Sequence, residues 1–294
     1  MATINIMTLR HSAFYAPLLV TINGGYLQKQ GLKPVYRIAG PDNTIEQNLL
    51  SGSVQLAQSA PAVSFAALEQ GKPIDIVHFA VINNRDGFYL TAREASKDFQ
   101  WSDLHAQEVL VDHLFQPYAT LRYAMYLNNA DFDNMDIIDA GNVQQMDQAF
   151  RQGQGNYVHQ QGPAPQQLEK DGLGQIVASI GEAIGPLAFS SLCATPDWLE
   201  TDMAQTFIHA YQQAIQDVID QPAIRTAETI AGFLPDIDND VLIRTIEDYK
   251  NLKTWQADIN INEDSYNNLL KVFLHSGYIS KEHPMGSCVV SVQR

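Results

Sequence analysis

The sequence predicts an α/β fold of two lobes, joined by two crossover segments and finished by a helical C-terminal region. Three observations carry this. Short apolar runs alternate with segments of helical period from Ile4 to Val81, which implies a parallel sheet covered on both faces. The polar knot Asn83-Asn84-Arg85-Asp86-Gly87 then breaks the rhythm, as a crossing into a second lobe would. Finally, Pro186 to Cys193 reads as a strand leading back, and from Asp197 the chain is mostly helix. The expected division is residues 1–84 plus 192–294 in one lobe and 85–191 in the other.

Taken in order, Ile4, Ile6 and Leu9 outline a first strand ended by Arg10-His11-Ser12. Phe14, Tyr15, Leu18, Leu19 and Ile22 recur as a helix face closing at Gly24-Gly25. Leu32 to Ile38 is a second strand, and Ile45, Leu49 and Leu50 mark a second helix. Next comes LSGSVQLAQSAPAVSFAALEQG, residues 50–71, read as a strand feeding a helix. Ser59 is placed to cap that helix and Pro61 to occupy its first turn, where the missing amide hydrogen costs nothing. The free N–H groups of such a start can receive a carboxylate, sulfonate, phosphate or polar ring edge, or the junction can be an ordinary one. Ile74 to Val81 is a buried strand, and Phe88 to Ala92 resumes as strand after the knot. In the second lobe, 108–111, 135–138, 156–159 and 176–180 are strands and 116–127, 143–150 and 163–171 helices. The tail divides into helices 198–219, 223–231, 238–249 and 263–276, with an Arg85–Asp86 pair expected to close the crossover.

The chain has 294 residues, 45% hydrophobic and 17% charged, the profile of an ordered globular protein with a sizeable core. A net charge of −15 with no basic stripe argues against nucleic acid as a partner. Cys193 and Cys288 show no metal spacing and read as two reduced small side chains. No apolar run approaches the roughly 18 residues that span a bilayer, so membrane insertion is not expected. MATINIMTL reads as a strand that starts at once, without a basic n-region or long apolar h-region. A cytoplasmic location follows if Met1 is the native start; the alternative is a periplasmic protein whose leader has been removed.

Ligands of open α/β sheets sit outside the carboxyl ends of the strands, so the candidates follow strands. Arg10 either binds an anionic group bidentately or pairs with a surface acid, and His11 either bonds a ligand edge or caps a helix. Phe14 and Tyr15 point about 100° apart on a helix, so one is core and Tyr15 is taken as the stacking face. Ser59, Ala60 and Asn83 complete the first-lobe set. His113 and Gln116, before Pro117, mirror Ser59 and Pro61, and two helix starts facing one cleft would clamp a polar ligand. His159, Gln160 and Gln161 lie at a polar strand end, Ser190 and Ser191 on the return strand, and Asp112 opens the stretch that runs to Gln116. The loops hold no metal-spaced set, glycine-rich phosphate fingerprint or nucleophile elbow, so no cofactor is expected.

Specific stretches sharpen the fold. HSAFYAP at 11–17 followed by GGYLQKQGL at 24–32, LSGSVQLA at 50–57 and FAALEQGKPI at 65–74 resemble the "GYFxxxGL", "LxxGxVDxG" and "AxxxGxPI" stretches of the NMT1/THI5-like group. The resemblance covers about residues 4–220. It implies a type II periplasmic-binding-protein fold and a non-catalytic protein that closes two lobes on a small molecule, working with ABC permease subunits. Binding components for sulfonates, taurine, nitrate and thiamine pyrimidines belong to that group, as does a self-consuming pyrimidine synthase. The lysine, histidine and cysteine-rich run of the synthase branch are replaced here by Ser59, Val63 and Phe189-Ser190-Ser191-Leu192-Cys193, so that chemistry is not expected. A thiamine-pyrimidine-like heteroaromatic suits the His, Gln and Asn loops, and a sulfonate suits Arg10 and the helix starts. The rivals are a cytoplasmic enzyme on the same fold, with His11, His113 or His159 as general base, and a cytoplasmic ligand sensor.

Overall fold

The computed structural model describes residues 1–94 and 97–292. Its strands are β1 (Ala2–Thr8), β2 (Leu32–Ile38), β3 (Leu56–Ser59), β4 (Val77–Asn83), β5 (Phe88–Ala92), β6 (Glu108–Leu110), β7 (Asp136–Ile138), β8 (Tyr157–Gln161), β9 (Gln175–Ser179) and β10 (Ser190–Ala194). They form two five-stranded sheets of order β2-β1-β3-β10-β4 and β7-β6-β8-β5-β9. The chain leaves the first sheet at Asn83, enters the second at Phe88 and returns at Ser190. That return takes Ser190 and Ser191 into the first sheet, ahead of the boundary expected at 192.

Neither sheet is wholly parallel. β1 runs parallel to β2 and β3, but β10 is antiparallel to both β3 and β4. In the second sheet β6 runs parallel to β7 and β8, while β5 is antiparallel to β8 and β9. The exception in each sheet is the first strand after a crossing. A chain arriving from the facing lobe enters where its neighbours end, so it must run the other way. The four strands between Ile4 and Asn83 run the same way, as expected of them, and the return strand β10 is inserted among them in the opposite direction, which an apolar run does not reveal.

The helix Ala16–Asn23 is covered by the long helix Asp202–Asp220 and by Ala223–Ile230, with Leu18, Leu19, Phe207, Tyr211 and Ala227 buried among them. Thr201 caps Asp202–Asp220 through a bond from Ala204 N, which splits the helix expected over 198–219 after Leu199. The tail also reaches the second sheet's elements. Phe273 of the helix Glu263–His275 meets Phe115 of the helix Phe115–Leu127, ring centroids 4.7 Å apart. Lys170 lies 2.9 Å from Asp238 and 2.6 Å from Asp240, and Arg244 pairs with Glu169. The tail therefore straddles both lobes. Its helical period shows that a face is buried, not which lobe buries it.

Two local expectations also change. Ser59 caps nothing: Pro61–Ser64 is a 3-10 turn with Ala60 at its N-cap, leading into the short helix Phe65–Glu69. Ser59 is committed to the sheet, paired with Ser191, and its hydroxyl lies against the Cys193 thiol. Arg85 does not pair with Asp86 but donates through NH1 to the carbonyl of Gly181 at 3.1 Å.

At this crossing the backbones come very close. A Cβ on Gly181 would stand 2.2 Å from the carbonyl oxygen of Asp86, a main-chain atom that cannot rotate away. Gly181→Ala is expected to destabilise the protein by about 1–3 kcal/mol, the usual cost of overpacking. Urea denaturation checks this, and a midpoint equal to that of the parent chain would contradict it.

Candidate functional site

The carboxyl ends of β1, β4, β6 and β8, with the amino end of β10, meet where the two sheets face each other. Three contacts cross from lobe to lobe there. Arg10, in the loop after β1, holds NH1 3.6 Å from Oδ2 of Asp112, two residues beyond β6. Ser12 Oγ donates to Oε1 of Gln161 at 2.6 Å, at the end of β8. Gln116, in the first turn of the helix Phe115–Leu127, donates through Nε2 to the Phe189 carbonyl at 2.8 Å.

Beneath this seam lies an aromatic floor. Phe14 meets Phe189 edge-on at 5.4 Å, and Phe88 stacks on His159 at 4.7 Å. His159 is fully buried, and among the described residues neither ring nitrogen has a hydrogen-bond partner. Burial drives its pKa down to about 3, so the imidazole is neutral. Asp86 is equally buried: Oδ1 accepts from Phe88 N at 2.7 Å, and burial pushes the carboxyl up to about 7. Asn83 donates through Nδ2 to the Phe14 carbonyl at 2.6 Å. Tyr15 is buried with its hydroxyl on Ser190, within the electrostatic reach of Arg10 and Asp112, and burial raises its pKa.

At the rim, His11 packs against Tyr36 and Phe233 with centroids 5.5 and 6.1 Å away, and those two rings meet edge-on at 5.3 Å. Tyr36 is tied by its hydroxyl to Thr8 at 2.7 Å, and partial burial lowers the His11 pKa. This patch offers a face on which a flat ligand can stack.

The structure thus gathers Arg10, His11, Tyr15, Asn83, Gln116 and His159 around one seam. The other five candidates make different contacts. Gln160 points to the opposite sheet face from His159 and its Nε2 is 3.3 Å from Asp147 Oδ1. Ser191 bonds His78 Nδ1 at 2.8 Å, and His78 Nε2 reaches Ser64 at 3.3 Å. His113 turns outward, with Nδ1 2.8 Å from the Val111 carbonyl and its ring against Tyr118. Ser59 and Ala60 stand at the end of β3, which lies between β1 and β10 and parallel to β1, so they share the same strand-end edge, with Ser59 paired to Ser191. Of the seam residues, Asp112, Gln161 and Ser190 fall within the strand-end stretches the sequence offers, while it does not offer Ser12 and Asp86 as ligand contacts. Within 159–161 and 190–191 the sequence offers neighbouring residues without deciding which faces the seam, and the structure selects Gln161 and Ser190. Tyr36 and Phe233 carry no local signal, because their meeting depends on how the tail folds back.

A broad surface groove of about 880 Å³, lined by Tyr26, His209, Gln213 and Asp217 among others, lies away from the strand ends. Its lining is mainly exposed, and the seam concentrates far more buried polar chemistry. Among the described residues, no group of three or more His, Cys, Asp or Glu side chains is placed to hold a metal ion. Nor is any helix long and apolar enough to cross a membrane.

A family model described as "NMT1/THI5 like" matches residues 13–224. YtlA of Bacillus subtilis (strain 168), whose name gives it a provisional binding role, is 29% identical over 291 residues, covering 97% of this chain and 87% of that protein. The alkanesulfonate-binding protein SsuA from Xanthomonas axonopodis pv. citri, bound to MOPS, superposes with a TM-score of 0.74 at 14% identity, covering 99% of each chain. The desulfurization enzyme DSZB does so with a TM-score of 0.71 at 9% identity, over 99% of this chain and 97% of that one. The two-lobed α/β fold is therefore shared by binding proteins and by at least one enzyme.

The Asp86 carboxyl makes the seam's stability depend on pH. Because its folded pKa is raised, its contribution is complete below about pH 4 and is lost as the pH rises through about 7. Asp86→Asn is expected to flatten the decline in unfolding free energy between about pH 4 and about pH 7. Equal slopes for variant and parent in pH-dependent denaturation would contradict this.

Proposed function

Since this chain belongs to the NMT1/THI5-like family, we propose that it is a solute-binding protein whose two lobes close on a small polar or heteroaromatic molecule. The observation that carries this reading is the seam itself. Strand-end side chains of both lobes converge on one buried zone, and several of their polar atoms lack hydrogen-bond partners among the described residues. Buried polar groups are normally paired, so such a zone is suited to a ligand that completes the bonding.

Closure would work by hinge motion at 83–87 and 187–193. Few polar bonds cross the mouth, Ser12–Gln161 and Arg10–Asp112 among them. A ligand touching both lobes replaces them and favours the closed form by its differential contacts. Capture by such a protein serves an ABC importer, with membrane permease subunits as the downstream partner. The stacking patch of His11, Tyr36 and Phe233 suits a thiamine-pyrimidine-like ring. The alkanesulfonate-binding neighbour supports a sulfonate.

The buried imidazole also bears on the enzyme reading. A general base needs a partner to orient and charge it, and His159 has none among the described residues, while His113 Nδ1 stands 3.8 Å from Asp139, beyond a hydrogen bond. Both facts support binding without turnover.

Solution scattering tests the role: a saturating ligand should shrink the radius of gyration, and an unchanged profile would contradict closure. Gln116→Ala and His159→Ala should each weaken binding by about 1–3 kcal/mol, the cost of leaving a buried group unpaired. If His159→Ala kept affinity but abolished a conversion seen by mass spectrometry, the residue would be a general base and the chain an enzyme.

A further inference from the structure

The class of ligand follows from the polar atoms the seam leaves over. Asn83 and Gln116 are buried amides whose orientation is set by their partners. Asn83 Nδ2 is on the Phe14 carbonyl and Gln116 Nε2 on the Phe189 carbonyl. A main-chain carbonyl only accepts, so neither amide can turn over without setting oxygen against oxygen. Each must present its own oxygen to the seam region. Among the described residues, Asn83 Oδ1 and Gln116 Oε1 have no hydrogen-bond partner. Asp86 Oδ2 and Asp112 Oδ2 likewise accept none, Asp112 having only its 3.6 Å ion pair with Arg10.

Four buried acceptors from the two lobes and the crossing between them therefore lack donors. Most neighbouring donors are used, Ser12 on Gln161, Trp255 Nε1 on the Phe14 carbonyl at 3.1 Å and Phe88 N on Asp86, with the Thr120 hydroxyl beside the Asp86 carboxyl, and the single N–H of the neutral His159 ring is left over. The charges agree with the bonding. Arg10 is offset by Asp112, and Asp86 adds a second carboxyl close enough to feel the first. A buried anion would bring only acceptors into a zone with no surplus positive charge, leaving its desolvation uncompensated. A cation bearing N–H groups meets both needs.

Resting on the solute-binding reading above, we propose that the ligand is a positively charged, N–H-rich nitrogen compound, an amidinium or a protonated amino-heterocycle, held by Asn83 Oδ1, Gln116 Oε1 and the carboxyls of Asp86 and Asp112. Organic sulfonates, the ligand class named for the alkanesulfonate-binding neighbour, are not accepted.

The test is thermal shift on the full chain with benzamidine and 4-aminopyridine, both cations at neutral pH, against benzenesulfonate at matched ionic strength. The expected result is stabilisation by at least one cation and none by the sulfonate. Asp112→Asn should lower affinity for that cation roughly tenfold or more, as loss of a charged hydrogen-bond partner does. The parent-chain comparison stands even if the variant fails to fold. Stabilisation by benzenesulfonate, or by neither cation, overturns the proposal. Scattering separates this from the role itself. A sulfonate that contracts the molecule leaves the solute-binding role standing and removes the ligand class. A cation that stabilises without contraction keeps the class and removes closure.

Discussion

Phe14 lies where both crossings and the tail come together. Its ring packs over Gly87 so tightly that a Cβ there would stand 2.4 Å from the ring. On other sides it meets Phe189 of the return crossing at 5.4 Å and Tyr249 of the tail at 5.3 Å. Its carbonyl accepts from Asn83 at the end of β4 and from Trp255. Tyr249 in turn lies with its hydroxyl 3.1 Å from the Gly87 carbonyl and 3.3 Å from that of Gly162. One buried residue thus fixes the outgoing segment, the return segment and a tail helix relative to one another. The lobes cannot separate at this point without opening an aromatic void, which costs several kcal/mol for a residue this size.

The mouth is held differently. Ser12–Gln161 is one neutral hydrogen bond, and the Arg10–Asp112 pair at 3.6 Å is partly exposed on the arginine side. Such contacts are worth about 1 kcal/mol apiece or less. An apolar knot at the crossings and a weak polar seam at the mouth are the energetic profile of a hinge: opening is cheap at one end and expensive at the other. Lys170 with Asp238 and Asp240, and Arg244 with Glu169, add ion pairs between the second lobe and the tail, and their exposure keeps each small.

The order of strands and helices, the two crossings and the family were legible in the sequence, because hydrophobic period and the stretches at 11–32 and 50–74 are local signals. What was not legible was parity. Ser190 rather than Ser191 faces Tyr15, Gln161 rather than Gln160 meets Ser12, and Asp112 rather than His113 meets Arg10. Around a strand end, a shift of one residue moves the side chain to another face, and periodicity does not resolve that shift. The direction of β10 and the straddling tail were hidden for a related reason: both depend on contacts between residues far apart in the chain. Phe233 reaches His11 only because the tail returns across the mouth.

The hinge can be tested most directly by the distance across the mouth. Asp42, beyond β2, and Gln144, beyond β7, are exposed and lie past the carboxyl ends of strands in opposite lobes, while the native Cys193 and Cys288 are buried. Spin labels at Asp42→Cys and Gln144→Cys would report the separation by pulsed dipolar spectroscopy. The ligand-free protein should show a population at longer distance that disappears when a stabilising solute saturates it. One narrow distance, identical with and without that solute, would contradict a mouth that opens and closes.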